Sequence, residues 1–355
     1  MRCVFNLAFV LPVAAVLGAC EIARASSSAA GYLKNPDDWF RSSEAQKVIA
    51  HVLSWQSPEG SWPKNVDTTA PCPSAREKLK GTFDNGATTD ELRLLAREVE
   101  VMRDANCRAA FARGLESILK AQYPTGGWPQ YYPPPKISYH RHITFNDDAM
   151  IRLMIFLREV ARERRYAFVE PNQREAARSA FDRGVDCILK CQIKVDGRLT
   201  VWCAQHDAVD LSPRPGRTFE LVSLSGAESV GIVRLLMRLE NPTPEIVHSV
   251  EAAIAWFESA RISGIRVELV EDPTAPKGKN KIVIPDGNAK PMWARFYEIG
   301  TNKPIFSGRD GVKKYSLAEI ESERRNGYAW LGYWPETLLR TEYPAWKTRI
   351  RRPGR

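Results

Sequence analysis

Apolar residues recur at three- and four-residue spacing over six stretches, 88–102, 105–121, 147–161, 172–191, 227–239 and 244–260, which predicts six amphipathic helices. A further early helix is predicted over 43–55. The segments that open the first, third and fifth of the six are polar and turn-rich: Phe83-Asp-Asn-Gly-Ala87, Phe145-Asn-Asp-Asp148 and Ser223-Leu-Ser-Gly-Ala-Glu228. Each supplies Asp, Asn or Ser where a helix N-cap belongs. The other three helices open without such signatures. This alternation predicts an all-α-dominated ring of three helix pairs, with odd helices lining the centre, even ones outside, and the three polar openings at one mouth. After 260 the pattern changes. Runs 265–270 and 281–285 read as short strands, a last helix is predicted over 316–325, and long loops wrap the helical core. Long ordered loops are frequently functional.

An internal repeat supports the ring. Gln56-Ser-Pro-Glu-Gly-Ser-Trp62 and Gln122-Tyr-Pro-Thr-Gly-Gly-Trp128 share the pattern Q-x-x-x-G-x-W, and a degraded third copy reads Gln192-Ile-Lys-Val-Asp-Gly197. Each follows a helix-like stretch and precedes a polar segment.

The 355 residues and 44% hydrophobic content suffice for one large domain, expected over 39–345 and followed by a basic tail, 346–355. The start reads as a leader. Arg2 precedes an apolar run to Ala19, too short for a convincing membrane span, so 1–19 is expected to be a signal peptide and 20–38 a tether. Leu17-Gly-Ala-Cys20 has the form of a bacterial lipoprotein cleavage site, which makes Cys20 the expected lipidation position; a competing cut follows Ala23-Arg-Ala25. Either way the chain is expected to be exported, as a periplasmic or outer-membrane lipoprotein or a secreted protein. Five cysteines remain beyond Cys20, an odd number, and Cys187 and Cys191 stand four apart on a helix, so buried free thiols are the expectation. The net charge of +9 favours a polyanionic partner. Export disfavours nucleic acid, which leaves an anionic polysaccharide. A monomer is expected.

Two chemistries stand out. Asp84, Asn85, Thr88, Thr89 and Asp90 at the first helix opening, and Asn146, Asp147 and Asp148 at the third, exceed what capping requires and offer the oxygen donors a hard cation takes. Arg214, Arg217, Arg295 and Arg309 lie in loops beside Gly, Pro or aromatics, where guanidinium groups can clamp carboxylates. The loops are also rich in Trp and Tyr, whose rings can stack on sugars. The histidines show no metal-ligand spacing, and neither a G-x-S-x-G elbow nor a phosphate-binding glycine loop is present.

Together, Gln122–Tyr132, Phe83-Asp-Asn-Gly-Ala-Thr88, Ile143-Thr-Phe-Asn-Asp-Asp-Ala-Met150, Gly216-Arg-Thr-Phe-Glu220 with Ser223-Leu-Ser-Gly-Ala-Glu-Ser229, and Tyr328-Ala-Trp330 with Trp334-Pro335 resemble the pectate lyases of polysaccharide lyase family 10. The resemblance runs from about Trp55 to about Pro335. It implies an (α/α)3 helical toroid and calcium-assisted β-elimination of polygalacturonate, leaving 4,5-unsaturated ends. It assigns Arg217 as the catalytic Brønsted base, associates Asp84, Asn85 and Asp147 with Ca2+ and the cleavage subsite, and gives Asp84, Arg295 and Arg309 to substrate binding. The chain departs from the family pattern at Gly216 and Thr218. Alternatives are a non-catalytic surface lectin for pectin fragments, a glycoside hydrolase on an α-toroid, or a polyene cyclase of the squalene–hopene type. An ultraviolet-absorbing unsaturated product separates a lyase from a hydrolase.

Overall fold

A computed structural model describes residues 27–351. All seven helices predicted up to residue 260 are present: α1 (Ser43–Ser54), α2 (Thr89–Met102), α3 (Ala105–Ala121), α4 (Ala149–Arg162), α5 (Pro171–Cys191), α6 (Glu228–Met237) and α7 (Pro244–Ser259). Side chains stop the free N–H groups at several starts. Ser42 accepts from Ala45 N at 3.1 Å, Asp104 from Cys107 N at 2.6 Å and Thr243 from Ile246 N at 3.4 Å. α4 begins later than the periodicity predicts because Asp147 and Asp148 take left-handed φ values of 52° and 60°. Such values cannot continue a helix.

α2 packs on α3, α4 on α5 and α6 on α7, while α4 also touches both α2 and α6. Burial identifies the inner layer: nine of the ten residues of α6 are buried, against seven of sixteen in its partner α7. The expected all-α toroid of three helix pairs is the observed architecture.

The repeat is what ties the pairs into a ring. Gln56 donates through Nε2 to Gly60 O at 2.9 Å and to Ala110 O of α3 at 2.8 Å. Gln122 does the same to Gly126 O and to Ala180 O of α5, at 2.9 and 2.8 Å. Each indole reaches back to the helix before it, Trp62 Nε1 to Val52 O at 2.7 Å and Trp128 Nε1 to Ile118 O at 2.8 Å. Their carbonyls then receive the N–H of the next helix opening, Thr82 and Thr144. The third copy is more complete than its sequence suggests. Gln192 donates to Thr200 O at 2.8 Å and to Ser249 O of α7 at 3.0 Å, and Trp202 supplies the indole, bonded to Ile188 O at 2.7 Å. A small hairpin, Lys194–Val195 paired with Arg198–Leu199, separates this Gln from its Trp and hides the pattern.

The C-terminal third follows the predicted strands as one hairpin, β1 (Ile265–Glu271) against β2 (Lys279–Pro285), with Ile265 opposite Pro285. The helix expected over 316–325 is instead two short turns, Leu317–Glu319 and Ser322–Asn326, because Ile320 and Glu321 are extended between them. Two-residue ladders carry this third to the mouth: Trp293–Ala294 pairs with Leu331–Gly332, and Phe296–Tyr297 with Leu224–Ser225. A second small core of Phe219, Phe296, Ile305, Phe306, Leu317, Ile320 and Trp330 forms beneath them.

Residues at both expected boundaries carry structure within the described residues. Part of the expected tether is docked: Ala29 is fully buried, Ser27 N donates to Asp90 at 3.2 Å, and Ser28 meets Thr68. The start of the expected basic tail belongs to α8 (Tyr343–Arg351), whose Trp346 is buried and whose Lys347 pairs with Glu251 at 3.2 Å. The expected signal peptide and the expected lipidation position, Cys20, lie outside the described residues. All five described cysteines are free; four are buried, and Cys72 is half-buried. The Cys187 and Cys191 sulfurs stand 3.9 Å apart, beyond bonding distance. Among the described residues no helix is long and apolar enough to cross a membrane.

Candidate active site

The loop before α6 closes tightly on itself. Gly216 N donates to Glu220 O at 2.9 Å and Glu220 N to Arg217 O at 2.7 Å. The Glu220 side chain folds back into this turn. Its Oε2 accepts from Arg217 N at 2.8 Å, and its Oε1 accepts from Arg217 Nη2 at 2.5 Å and from the Tyr328 hydroxyl at 2.6 Å. Glu220 is 4% exposed, whereas the Arg217 side chain is 41% exposed. One end of the pair is anchored and the other faces outward. Gly216 leaves room for this side chain: a Cβ there would stand 2.5 Å from Glu220 Oε2.

Burial by itself lowers the Arg217 pKa, but the hydrogen bond and charge of Glu220, with Tyr328 and Tyr139, outweigh it and hold the guanidinium above its ordinary value. Burial likewise raises the Glu220 carboxyl, and Arg217 with the Tyr328 hydroxyl reverses that and holds it below the usual carboxylate range. The pair is ionised.

Around it, arginines and aromatic rings stack. The Arg217 guanidinium lies 4.9 Å from the Phe219 ring and 5.3 Å from Tyr328, and Arg295 covers Tyr328 at 4.8 Å. Arg309 approaches Phe219 at 5.6 Å, and Arg324 does so at 4.5 Å. Burial holds the Tyr328 hydroxyl protonated, far above its ordinary pKa. Arg295 is fixed through its backbone, N to Trp330 O at 2.7 Å and O from Gly226 N at 2.8 Å, between the two C-terminal ladders. Its side chain spans two helix openings, pairing with Glu228 at the start of α6 and with Asp147 at 3.3 Å before α4. Arg309 is 61% exposed and forks onto Glu323 at 3.0 and 3.2 Å.

At the first opening, Asp84 is 2% exposed. Its Oδ2 accepts from Lys64 and from Gln130 at 2.6 Å, while Oδ1 is buried without a hydrogen-bond partner. Burial pulls the Lys64 ammonium down, but the hydrogen bond and charge of Asp84 hold it above its ordinary value. Asn85, at φ 55°, donates to Asn65 at 3.2 Å. Asp147 is exposed and accepts from its neighbour Asn146 at 2.8 Å. Tyr139 and His140 join the two halves electrostatically, since Lys64 and the Arg217–Glu220 pair both act on each of them.

Asp84, Asn85, Asp147 and Arg217 thus sit in the loops that precede the inner helices, and Arg295 and Arg309 come from the C-terminal third. Arg217, Arg295 and Arg309 share one aromatic stack, and Asp147 joins it through Arg295. Asp84 and Asn85 lie across Tyr139 and His140 from it. For calcium, the donor type fits: Asp84 Oδ1 is an orphaned carboxylate oxygen, and Asn85 and Asp147 offer an amide and an exposed carboxylate. The number does not suffice alone. Among the described residues no cluster of three or more His, Cys, Asp or Glu is gathered to hold a metal. Sequence reasoning gave no role to Glu220, Glu228, Lys64 or Gln130. Glu220 stood inside a quoted motif, and its three-residue offset from Arg217 was the available signal.

A cavity of about 290 Å³ between the inner helices is lined by Arg93, Asp148, Arg152, Arg234 and others; of the candidate oxygen donors only Asp148 lines it, and Asp84, Asn85, Asp147, Arg217, Arg295 and Arg309 do not.

Comparison with known proteins bears on all of this. The model of the pectic acid lyase family matches residues 31–339. Two solved structures of a family 10 polysaccharide lyase from Cellvibrio cellulosa align closely. An Asp-to-Ala mutant in complex with trigalacturonic acid is 34% identical with a TM-score of 0.74, over 86% of this chain and 96% of that one. The other is 35% identical with a TM-score of 0.73, over 89% and 95%. No curated protein matches.

Proposed function

Because this chain belongs to the pectic acid lyase family and is a pectate lyase, we propose that it cleaves polygalacturonate by β-elimination at the mouth of the toroid, with Arg217 as the base that removes the C5 proton. One observation supports this most: the Arg217 backbone N and guanidinium are both held by the buried Glu220 carboxylate while 41% of the Arg217 side chain stays exposed, and Arg295 and Arg309 share its aromatic stack. A galacturonate carries its carboxylate on C5. Guanidinium groups placed against it stabilise the enolate-like charge that develops as the proton leaves. Tyr328 and Phe219 hold those groups in fixed positions, so little reorganisation is needed during the reaction.

Asp84, Asn85 and Asp147 are the residues that would hold calcium, with substrate carboxylates and water completing its ligands. Bound there, the ion would neutralise a uronate and add to the positive field. Lys64 orients Asp84 toward the same mouth. The apolar leader supports export as part of the same reading, either as a lipoprotein anchored at Cys20 or as a secreted protein cut after Ala25.

Incubation with demethylated polygalacturonate at alkaline pH, following absorbance of unsaturated ends, tests the assignment. Chelator should suppress the signal and added calcium restore it. Activity indifferent to chelator would remove the metal from the mechanism.

A further inference from the structure

We infer that Glu220 is the positioning residue for Arg217: its carboxylate fixes the guanidinium at the mouth and sets its strength as a base. The inference rests on the reading of Arg217 as the proton acceptor. Three contacts converge on this one buried carboxylate, from Arg217 N, Arg217 Nη2 and the Tyr328 hydroxyl, at 2.8, 2.5 and 2.6 Å. The turn 216–220 is bonded to itself at both ends, and the missing Cβ of Gly216 leaves the room in which Glu220 Oε2 sits. The charged and titratable groups around Arg217 are Glu220 in its own turn, Tyr139 and His140 in the loop before α4, and Tyr328, Arg295, Arg309 and Arg324 from the C-terminal third. Glu220 is the one carboxylate among them.

The elimination can then be followed atom by atom. The C5–H bond breaks, the proton comes to rest on a neutral Arg217 nitrogen, and the electron pair forms the C4–C5 double bond. The C4–O bond breaks with its pair on the departing oxygen, which takes a proton from water. A carboxylate at hydrogen-bond distance stabilises the guanidinium as it forms and so strengthens the base. The same charge favours the guanidinium in the free enzyme, so turnover requires alkaline pH. Both consequences come from a single negative charge.

The sign follows. In Glu220→Gln the charged form of Arg217 loses its support. The alkaline rise in kcat/KM, which reports the free enzyme, should move to lower pH by about one to three units. The maximal kcat should fall, by roughly 100-fold if the guanidinium is also displaced by an ångström. Glu220→Asp keeps the charge and loses reach: its rise should stay near the parental pH while kcat falls. A purely structural role would lower the rate in both variants and leave both midpoints in place.

The test is a set of pH–rate profiles on polygalacturonate for the full chain and both variants, with melting curves to select pH values at which each is folded. A Glu220→Gln midpoint displaced toward acid, with Glu220→Asp near the parental value, supports the inference; coincident midpoints overturn it. Arg217→Ala is run alongside. If it is inactive while Glu220→Gln keeps the parental midpoint, Glu220 alone loses its role. If it turns over at the parental rate, the base reading and the inference fall together.

Discussion

Individual side chains carry unequal weight in this protein, and burial decides which. Gln122 bonds Gly126 O and Ala180 O, and its own oxygen accepts from Arg183 at 2.5 Å. Gln122→Ala strands those groups and should destabilise by about 1–3 kcal/mol in urea titration; an unchanged midpoint would show that the repeat glutamine is ornamental. Arg295 and Arg309 make a sharper contrast. Arg295→Ala leaves Glu228, with 2% of its side chain exposed, without its cation and should cost about 3–5 kcal/mol. Arg309→Ala removes an exposed pair and should leave the melting temperature near the parental value, while raising KM for the polymer. Equal melting temperatures for the two variants would contradict this division.

Elements were legible where periodicity was strong, and capping was the poorer guide: Asp104 and Thr243 cap α3 and α7, which were expected to open without a cap signature, while α4 opens with no side-chain cap hydrogen bond because its polar opening turns left-handed. The seven helices before residue 260 follow from three- and four-residue spacing because their apolar stripes face a real core. What escaped the sequence had tertiary causes. The inserted hairpin 194–199 displaced Trp202 from its Gln, and only the indole bond to Ile188 O reveals the equivalence. Glu321 is extended, which breaks the run 316–325, and its carboxylate serves the Arg309 backbone instead, at 2.5 Å. The start of α2 carries a pH signature. Burial raises the Glu91 carboxyl from 4.5 to about 7, although it accepts from Thr88 N at 2.7 Å and Thr68 at 3.0 Å. Folded protein therefore binds this proton more tightly than unfolded chain does. The resulting stability is present below pH 4.5 and is lost as pH rises through about 7. Melting temperatures of wild type should fall relative to Glu91→Gln across that window, and parallel curves would refute the assignment.

At the scale of the whole molecule, ring closure turns separate motifs into a site. Asp84, Asp147 and Glu228 open three different inner helices, and Arg217, Arg295, Arg309 and Tyr328 arrive on later loops. Their types and spacing, and the resemblance they compose, were readable along the chain. The arginine–aromatic stack was not, because it exists only once the C-terminal ladders seat residues 293–334 over the mouth; the Glu220 clamp is local to the turn 216–220, and its three-residue offset from Arg217 was its one sign along the chain. A net charge of +9 suits such a molecule to a polyanionic substrate. The central claim is that Arg217 takes the proton. Its direct measurement is the rate of unsaturated-end formation by Arg217→Ala alongside its affinity for polygalacturonate. The account predicts retained binding with absorbance growth lost by at least about 100-fold. Parental turnover by that variant would contradict it.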